Sequence, residues 1–474
     1  MLQVNGGNSL GPPLSPAASV DPLKATASLP AAPALARWLT KPADHLGKFI
    51  KYSWNVYNLP QRLKELRDGR RRPSIATAEV VRGLLFTAVL RLPSLNALEG
   101  ELKRRPFQRL LGRRATQPGK KLFSADTAAR VLDSLEHAPL RRLLYDVVWK
   151  AERNKALRNS GLGVRRAVAL DGWETFSSYH RRCDHCLSRR IRTAQGDVTQ
   201  YYHRFVVAWL LGDDVEVVLD IEPLRTADLR RKDGETTDKH DGEQTAALRL
   251  LDRLHGEFGG FIDLFVLDAL YANGPLMTRL TEHNYGGIIT LKKETDEPLK
   301  DALALMDGQP PSQVWDDPDK KEHLEAWDVD ELETLDTFKG KARVIRVEVS
   351  STRTGKTGVW CAAVVGARAR RLPSRSVHRL HRARWHEENT GFNQWTQLCH
   401  LTHVFRHKPG AVVAVLLLWL LAFNLMQLFV YKRLRRSRDP KDPCDTIRNL
   451  VAEMVQSLSL LKGFVPWALL LDTS

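Results

Sequence analysis

The sequence predicts an α/β protein: a mixed sheet flanked by helices, with a helical region ahead of the sheet and a β-rich insertion within it. Three observations carry this. Short apolar runs, Ala167 to Leu170 and Leu264 to Leu267, each close on an aspartate and read as buried strands. Between Arg37 and Leu157 apolar residues recur at spacings of three and four, the helical period. Farther on, Ile345, Val347 and Val349 alternate with Arg346, Glu348 and Ser350, the period of a half-buried strand.

Residues 1–35 are rich in Pro, Ala, Ser and Gly and poor in side chains that bury surface, so disorder is expected there. They lack a positive segment followed by an apolar core, so export is not expected and a cytoplasmic, nucleoid-associated location is. In residues 36–160 the helical pattern is clearest over Val80 to Leu90 and Ala128 to Val148, and Ser124 is a natural N-cap. Basic clusters sit in the connections: Arg70, Arg71 and Arg72, then Lys103, Arg104 and Arg105, then Arg113, Arg114, Lys120 and Lys121. The whole chain carries 72 Lys and Arg against 55 Asp and Glu, a net charge of +17 over 474 residues. A polyanionic partner follows, and because the basic residues lie outside any single amphipathic helix, nucleic acid is expected rather than a membrane. Residues 36–160 therefore read as a helical DNA-binding domain, with a helix-turn-helix ending in Thr127 to Leu135; a solvated bundle with basic loops is the plainer alternative.

Residues 161–285 hold the first part of the sheet: Ala167 to Asp171, Tyr202 to Leu211, Val215 to Ile221, a helix near Gln244 to His255, then Phe261 to Asp268. Asp171, followed by Gly172, is taken to end its strand, and Asp268 likewise, so both acids stand at strand tips where open sheets bind ligands. Asp220 and Glu222 compete less well, because Ile221 continues the strand past Asp220; Asp263 marks a strand entry. Gly287 to Leu291 forms a further strand ahead of Lys292 and Lys293. About 120 positions separate Asp268 from Glu388, too many for one connection, so residues 286–372 are assigned to a β-rich inserted domain, packed by Trp315, Trp327 and Trp360. Residues 373–440 return to the sheet. Within them Ala411 to Phe423 is apolar throughout but too short for a bilayer, and is read as a buried helix. Residues 441–474 add a last helical segment.

Five cysteines give no disulfide framework. Cys183 and Cys186 form the only close pair; with His180 or His203 they supply a zinc half-site, but no second paired cluster follows, and a surface loop with free thiols is the simpler reading.

The segment His381 to Trp395 places Trp385, Glu388, Phe392, Trp395 and Cys399 on one helical stripe aimed at the core, while Glu387 turns toward water. An acid on such a face costs several kcal/mol unless a cation meets it, and either a metal or Arg384 one turn earlier would serve. This segment resembles the Tyr-Arg-Glu-Lys signature of insertion-sequence transposases, through Arg384, Trp385, Glu388, Asn389, Gly391, Phe392 and Asn393. The contexts of Asp171 and Asp268 are similar to that family's two aspartate motifs, and the likeness runs from about Val168 to Leu428. His381 and Trp395 depart from it, standing at the signature's tyrosine and lysine positions; Trp395 either stacks on an unpaired base or packs in the core.

The resemblance implies a ribonuclease-H-like catalytic core, in residues 161–285 and 373–440, with a β-rich insertion between. It implies that Asp171, Asp268 and Glu388 hold two Mg2+ or Mn2+ ions, cleave element ends and join the 3′ hydroxyl to target DNA. Arg384, Asn389, Trp395, Lys292 and Lys293 are then DNA contacts near the cut. The implied partner is double-stranded DNA, bound by a homodimer in a synaptic complex. An immobilised DNA-binding relative and a nuclease of the same fold are the alternatives.

Overall fold

The computed structural model describes residues 45–474 apart from 116, 118, 159–164, 213–214, 293–296, 334–336, 388–390, 398, 431–446, 462–464 and 466–474, with only the backbone at 297, 386 and 387. Among the described residues ten strands form one mixed sheet. They are β1 (Ala167–Ser178), β2 (Leu187–Thr193), β3 (Gly196–Leu210), β4 (Val217–Pro223), β5 (Leu264–Leu267), β6 (Gly286–Leu291), β7 (Gln313–Asp317), β8 (Glu322–Leu332), β9 (Ala342–Ser351) and β10 (Thr357–Val365). The sheet runs in the order β2-β3-β1-β5-β6-β10-β9-β8-β7, with β4 also paired to β3. β1, β5 and β6 are mutually parallel and fully buried where they pair; the other neighbours are antiparallel. Parallel strands need cover on both faces, and the continuous apolar runs Ala167 to Leu170 and Leu264 to Leu267 supply it.

Two expectations change here. β1 does not end at Asp171; it runs on to Ser178, because β3 pairs with it through that whole length. And β7 to β10 are no separate body: β10 pairs with β6, so these strands prolong the same sheet. Sequence spacing revealed the extra strands but not their partner.

Cover on one face comes from the helix Glu243–Phe258, whose Leu250, Leu251 and Leu254 meet the same core as Val168 and Leu170. The other face holds Ala167, Ala169, Leu264 and Val266 against Val377 and Leu380 of the helix Ser374–Glu387. Amino-terminal to the sheet, the chain forms seven described helices from His45–Tyr57 to His137–Arg153. Ser124 caps the helix Ala125–Ser134 as expected, its hydroxyl accepting the Thr127 amide at 3.1 Å.

The helix that holds the apolar run Ala411 to Phe423 extends beyond it at both ends. The helix Pro409–Leu428 spans 20 residues and is long and apolar enough to cross a membrane, yet in its 18-residue apolar window, of mean hydropathy 2.3, 94% of the residues are buried inside the protein. An all-round apolar helix suits such a position. It packs on the helices Thr77–Val89, Ala125–Ser134 and His137–Arg153 and on β4, so it joins the amino-terminal helices to the sheet. Its buried Asn424 is satisfied by β4: Oδ1 accepts the Val218 amide at 2.9 Å and Nδ2 donates to the Val218 carbonyl at 2.8 Å.

Candidate active site

The parallel register builds the site. Leu170 on β1 lies opposite Leu267 on β5, so the next residues, Asp171 and Asp268, come level on neighbouring strands and face the helix Ser374–Glu387. β5 does stop there: the Asp268 side chain caps the 3-10 turn Ala269–Tyr271 by accepting the Ala269 amide. Asp171 accepts the amide of Gly172 at 2.7 Å.

Each acid meets a cation. Arg384, buried on its helix, donates from Nη1 to Asp171 Oδ2 at 3.1 Å, and Lys292, exposed just past β6, places Nζ 3.0 Å from Asp268 Oδ1. Burial pushes the Asp268 carboxyl up, but the Lys292 ammonium, the Ala269 amide and the charge of Arg384 outweigh it, leaving the group below its ordinary value and ionised. Both acid side chains keep solvent access, 24% for Asp171 and 30% for Asp268. The sequence offered Arg384 as a partner of Glu388 or a contact to DNA, and the side chain it is seen to meet is Asp171; Glu388, Asn389 and Lys293 lie outside the described residues.

His381, at the signature's tyrosine position, is buried and stacked on Trp360 with ring centroids 4.4 Å apart. Burial, together with the charges of Arg384 and His378, drives its pKa down to about 3 against the pull of Asp268, so the imidazole is neutral. Trp385 contradicts the proposed stripe. It is 54% exposed, because the core-facing positions of its helix are Val377, Leu380, His381 and Arg384. Trp395 lies in the helical stretch Asn393–Gln397, 1% exposed, stacked on Trp209 at 4.7 Å and edge-on to Trp173 at 5.2 Å. A ring so enclosed offers no face to a base, and core packing is its observed role. Gly391 explains itself: a Cβ there would come 2.7 Å from the Trp209 ring.

Glu243 escaped the sequence reading. It opens the helix Glu243–Phe258 on the sheet face opposite the two aspartates, held by Arg204 at 2.7 Å and near the Tyr271 hydroxyl. A Cβ on Gly172 would fall 1.9 Å from its Oε2, so the glycine read as a turn signal is instead the gap that admits this carboxylate. Burial raises its pKa, Arg204 and Tyr271 offset that in part, and Asp268 adds to the rise.

The cations at the acids also line a cleft of about 780 Å3, together with Arg346, Trp327, Trp360 and Trp385. By contrast Asp220 is fully buried: Oδ1 takes Arg141 at 2.8 Å, and Oδ2 takes Tyr145 and Arg253, both at 2.6 Å. Glu222 joins the same network through Arg249 and Arg253. Neither has room for a ligand.

Of the basic clusters, Arg70 is turned inward, its guanidinium on Asp68 at 2.8 and 2.9 Å and on the Ile75 carbonyl at 3.0 Å, which leaves little of it for phosphate. Arg71, Arg72, Lys103 and Arg104 are exposed, Arg104 beside Glu101 at 3.0 Å, and Arg105 is half-buried.

Comparison with curated proteins gives no match. Residues 226–425 match the family model described as the transposase DDE domain, a span that begins after Asp171 and contains Asp268, Arg384 and position 388. That match supports a DDE transposase, and with it a transposition enzyme acting on DNA.

Proposed function

We propose that this chain cleaves the ends of an insertion sequence and joins the freed 3′ hydroxyl to target DNA, on a ribonuclease-H-like core of the Tyr-Arg-Glu-Lys signature type. The observation that carries the reading is the level pairing of Asp171 and Asp268 on parallel β1 and β5. Strand order supports it: three antiparallel strands, β1, β3 and β4, then the helix Glu243–Phe258, then β5 and β6 parallel to β1.

The donors fit a hard divalent cation. Two carboxylates stand side by side with partial solvent access, and cations already balance their charge, which is the need a metal fills. Asp171, Asp268 and Glu388 would hold Mg2+ or Mn2+, and two such ions, when bound, activate the attacking oxygen and stabilise the leaving one. The chain's own residues do the rest. Arg384, enclosed on its helix, fixes the orientation of Asp171. Lys292 keeps Asp268 ionised and, being exposed, is free to turn to a phosphate oxygen as a point charge. Arg346 and Trp385 in the cleft suit the backbone and bases of a strand entering the site. Asn389 and Lys293 are proposed as further contacts near the cut, and Arg71, Arg72, Lys103, Arg104 and Arg105 as backbone contacts of the amino-terminal helices. Two element ends brought together call for a homodimer.

A strand-transfer assay with element-end DNA, target DNA and Mg2+ tests this. Joined products are the expected result. Cleavage without joining would make the chain a nuclease, and binding without either would make it a DNA-binding relative; each overturns the proposal.

A further inference from the structure

Cys183, Cys186, His203 and His407 bring four ligand atoms within 4.8 Å of one another, at a place the acid site does not use. Cys183 and Cys186 lie in the loop between β1 and β2, His203 is on β3, and His407 just precedes the helix Pro409–Leu428. The sulfurs are 3.6 Å apart. His203 Nε2 stands 3.3 Å from each, and His407 Nε2 is 3.4 Å from Cys186 Sγ. A disulfide is excluded at that separation, since its bond is about 2.05 Å. A tetrahedral zinc ion with its usual bond lengths puts sulfurs about 3.8 Å apart and sulfur and nitrogen about 3.6 Å apart. The observed spacings lie close to both.

From this we propose a structural zinc site, with two thiolates and two imidazole Nε2 atoms as ligands. This proposal departs from the expectation of a surface loop with free thiols. His203, one of the two histidines the sequence offered, belongs to the cluster; His180 is not among its four residues. His407 was out of sight because it follows Cys186 by 221 positions. Local geometry is prepared for a metal: Cys186 donates its amide to the Cys183 carbonyl at 3.0 Å, closing a tight turn, and the Cys183 amide points at Cys186 Sγ at 3.3 Å, a bond that a thiolate accepts well. Phe176 packs against both imidazoles, with ring centroids 5.5 Å from His203 and 5.1 Å from His407. Cys186 and His203 are buried, Cys183 and His407 half-buried, so all four ligand positions are filled by protein and the ion is enclosed as a structural one is. Two sulfurs and two nitrogens select zinc over the hard cations suited to the aspartates. The ion ties the β1–β2 loop and β3 to the stretch between Trp395 and the buried helix. It is a clasp for the segment that follows the third acid.

Metal content of the full-length, tag-free chain is the direct test. About one zinc per chain is expected, and replacement by Co2+ should give the visible absorption of a tetrahedral ion together with thiolate charge transfer. His407→Ala should lower zinc affinity by more than the roughly 10–100-fold that outer-shell changes cost, and Asp268→Ala should leave the zinc in place. Less than about a tenth of an equivalent in the folded wild type, even after reduction and incubation with zinc, overturns the site. So does a wild-type chain whose zinc is held equally well by His407→Ala and Cys186→Ser.

Discussion

Two sets of carboxylates sit on the same sheet and have opposite surroundings. Asp220 and Glu222 on β4 are enclosed, and Arg141, Arg249, Arg253 and Tyr145 occupy their oxygens. Asp171 and Asp268 at the β1–β5 junction keep partial access to water, with Arg384 on the first and Lys292 on the second. Saturation marks an acid that holds the fold together; a part-exposed pair lying level on parallel strands marks acids that do chemistry. In the sequence Asp171, Asp220 and Asp268 all follow apolar runs, and although the strand's continuation past Asp220 ranks it lower, what surrounds each carboxylate is seen only in the fold.

The comparison is broken most directly by exchanging roles. Asp171→Asn and Asp268→Asn should each lower cleavage at least about a thousandfold, a loss of about 4 kcal/mol of transition-state stabilisation. Melting temperature and affinity for element ends should hardly move. Retained cutting would remove that residue from the site. Asp220→Asn should do the reverse. Removing one member of a buried ion network costs about 3–5 kcal/mol, so denaturant unfolding should shift strongly while cleavage per folded molecule stays near wild type.

How much of this was legible in the sequence depends on range. The apolar runs of β1 and β5 and the aspartates after them were readable, because strand burial writes itself into consecutive residues. The buried helix was readable too, though its length was not, since Asn424 and Gln427 look like ends until β4 is seen to satisfy Asn424. Gly172 misled: its role is to admit Glu243, more than seventy residues away, and a local rule makes it a turn. Trp385 misled for a related reason. The helical stripe was drawn through Trp385, but the helix Ser374–Glu387 turns Leu380, His381 and Arg384 to the strands it packs on, and Trp385 away from them. The partner of β10 and the contribution of His407 to the cysteine pair are contacts between distant residues, which composition and period do not encode.

A subtler difference concerns protons. His378 is buried, and its pKa is lowered to about 4 chiefly by that burial and by Arg382. Unfolded, the imidazole titrates near 6.5, so between about pH 6.5 and 4 the unfolded chain binds the extra proton and stability falls as pH falls, by about 1.4 kcal/mol per unit at most. His378→Leu should flatten the stability profile in that window and leave it unchanged above pH 7; an unaltered slope in equilibrium unfolding would refute the assignment.

Lys292 gives the smallest stability effect and the finest test of the contrast. Its pair with Asp268 is largely exposed, so solvent screening limits it to under about 1 kcal/mol, and Lys292→Met should scarcely change unfolding. Yet the same ammonium outweighs part of the burial that raises the Asp268 carboxyl. Without it the carboxyl titrates higher, and the acid limb of the cleavage profile should move toward neutral pH. The equivalent loss on the enclosed network, Arg253→Met, should leave that limb in place and lower stability by several kcal/mol, because Asp220 and Glu222 would keep buried charge with one cation fewer. A charge whose removal moves a titration limb serves the reaction, and one whose removal moves an unfolding curve serves the fold.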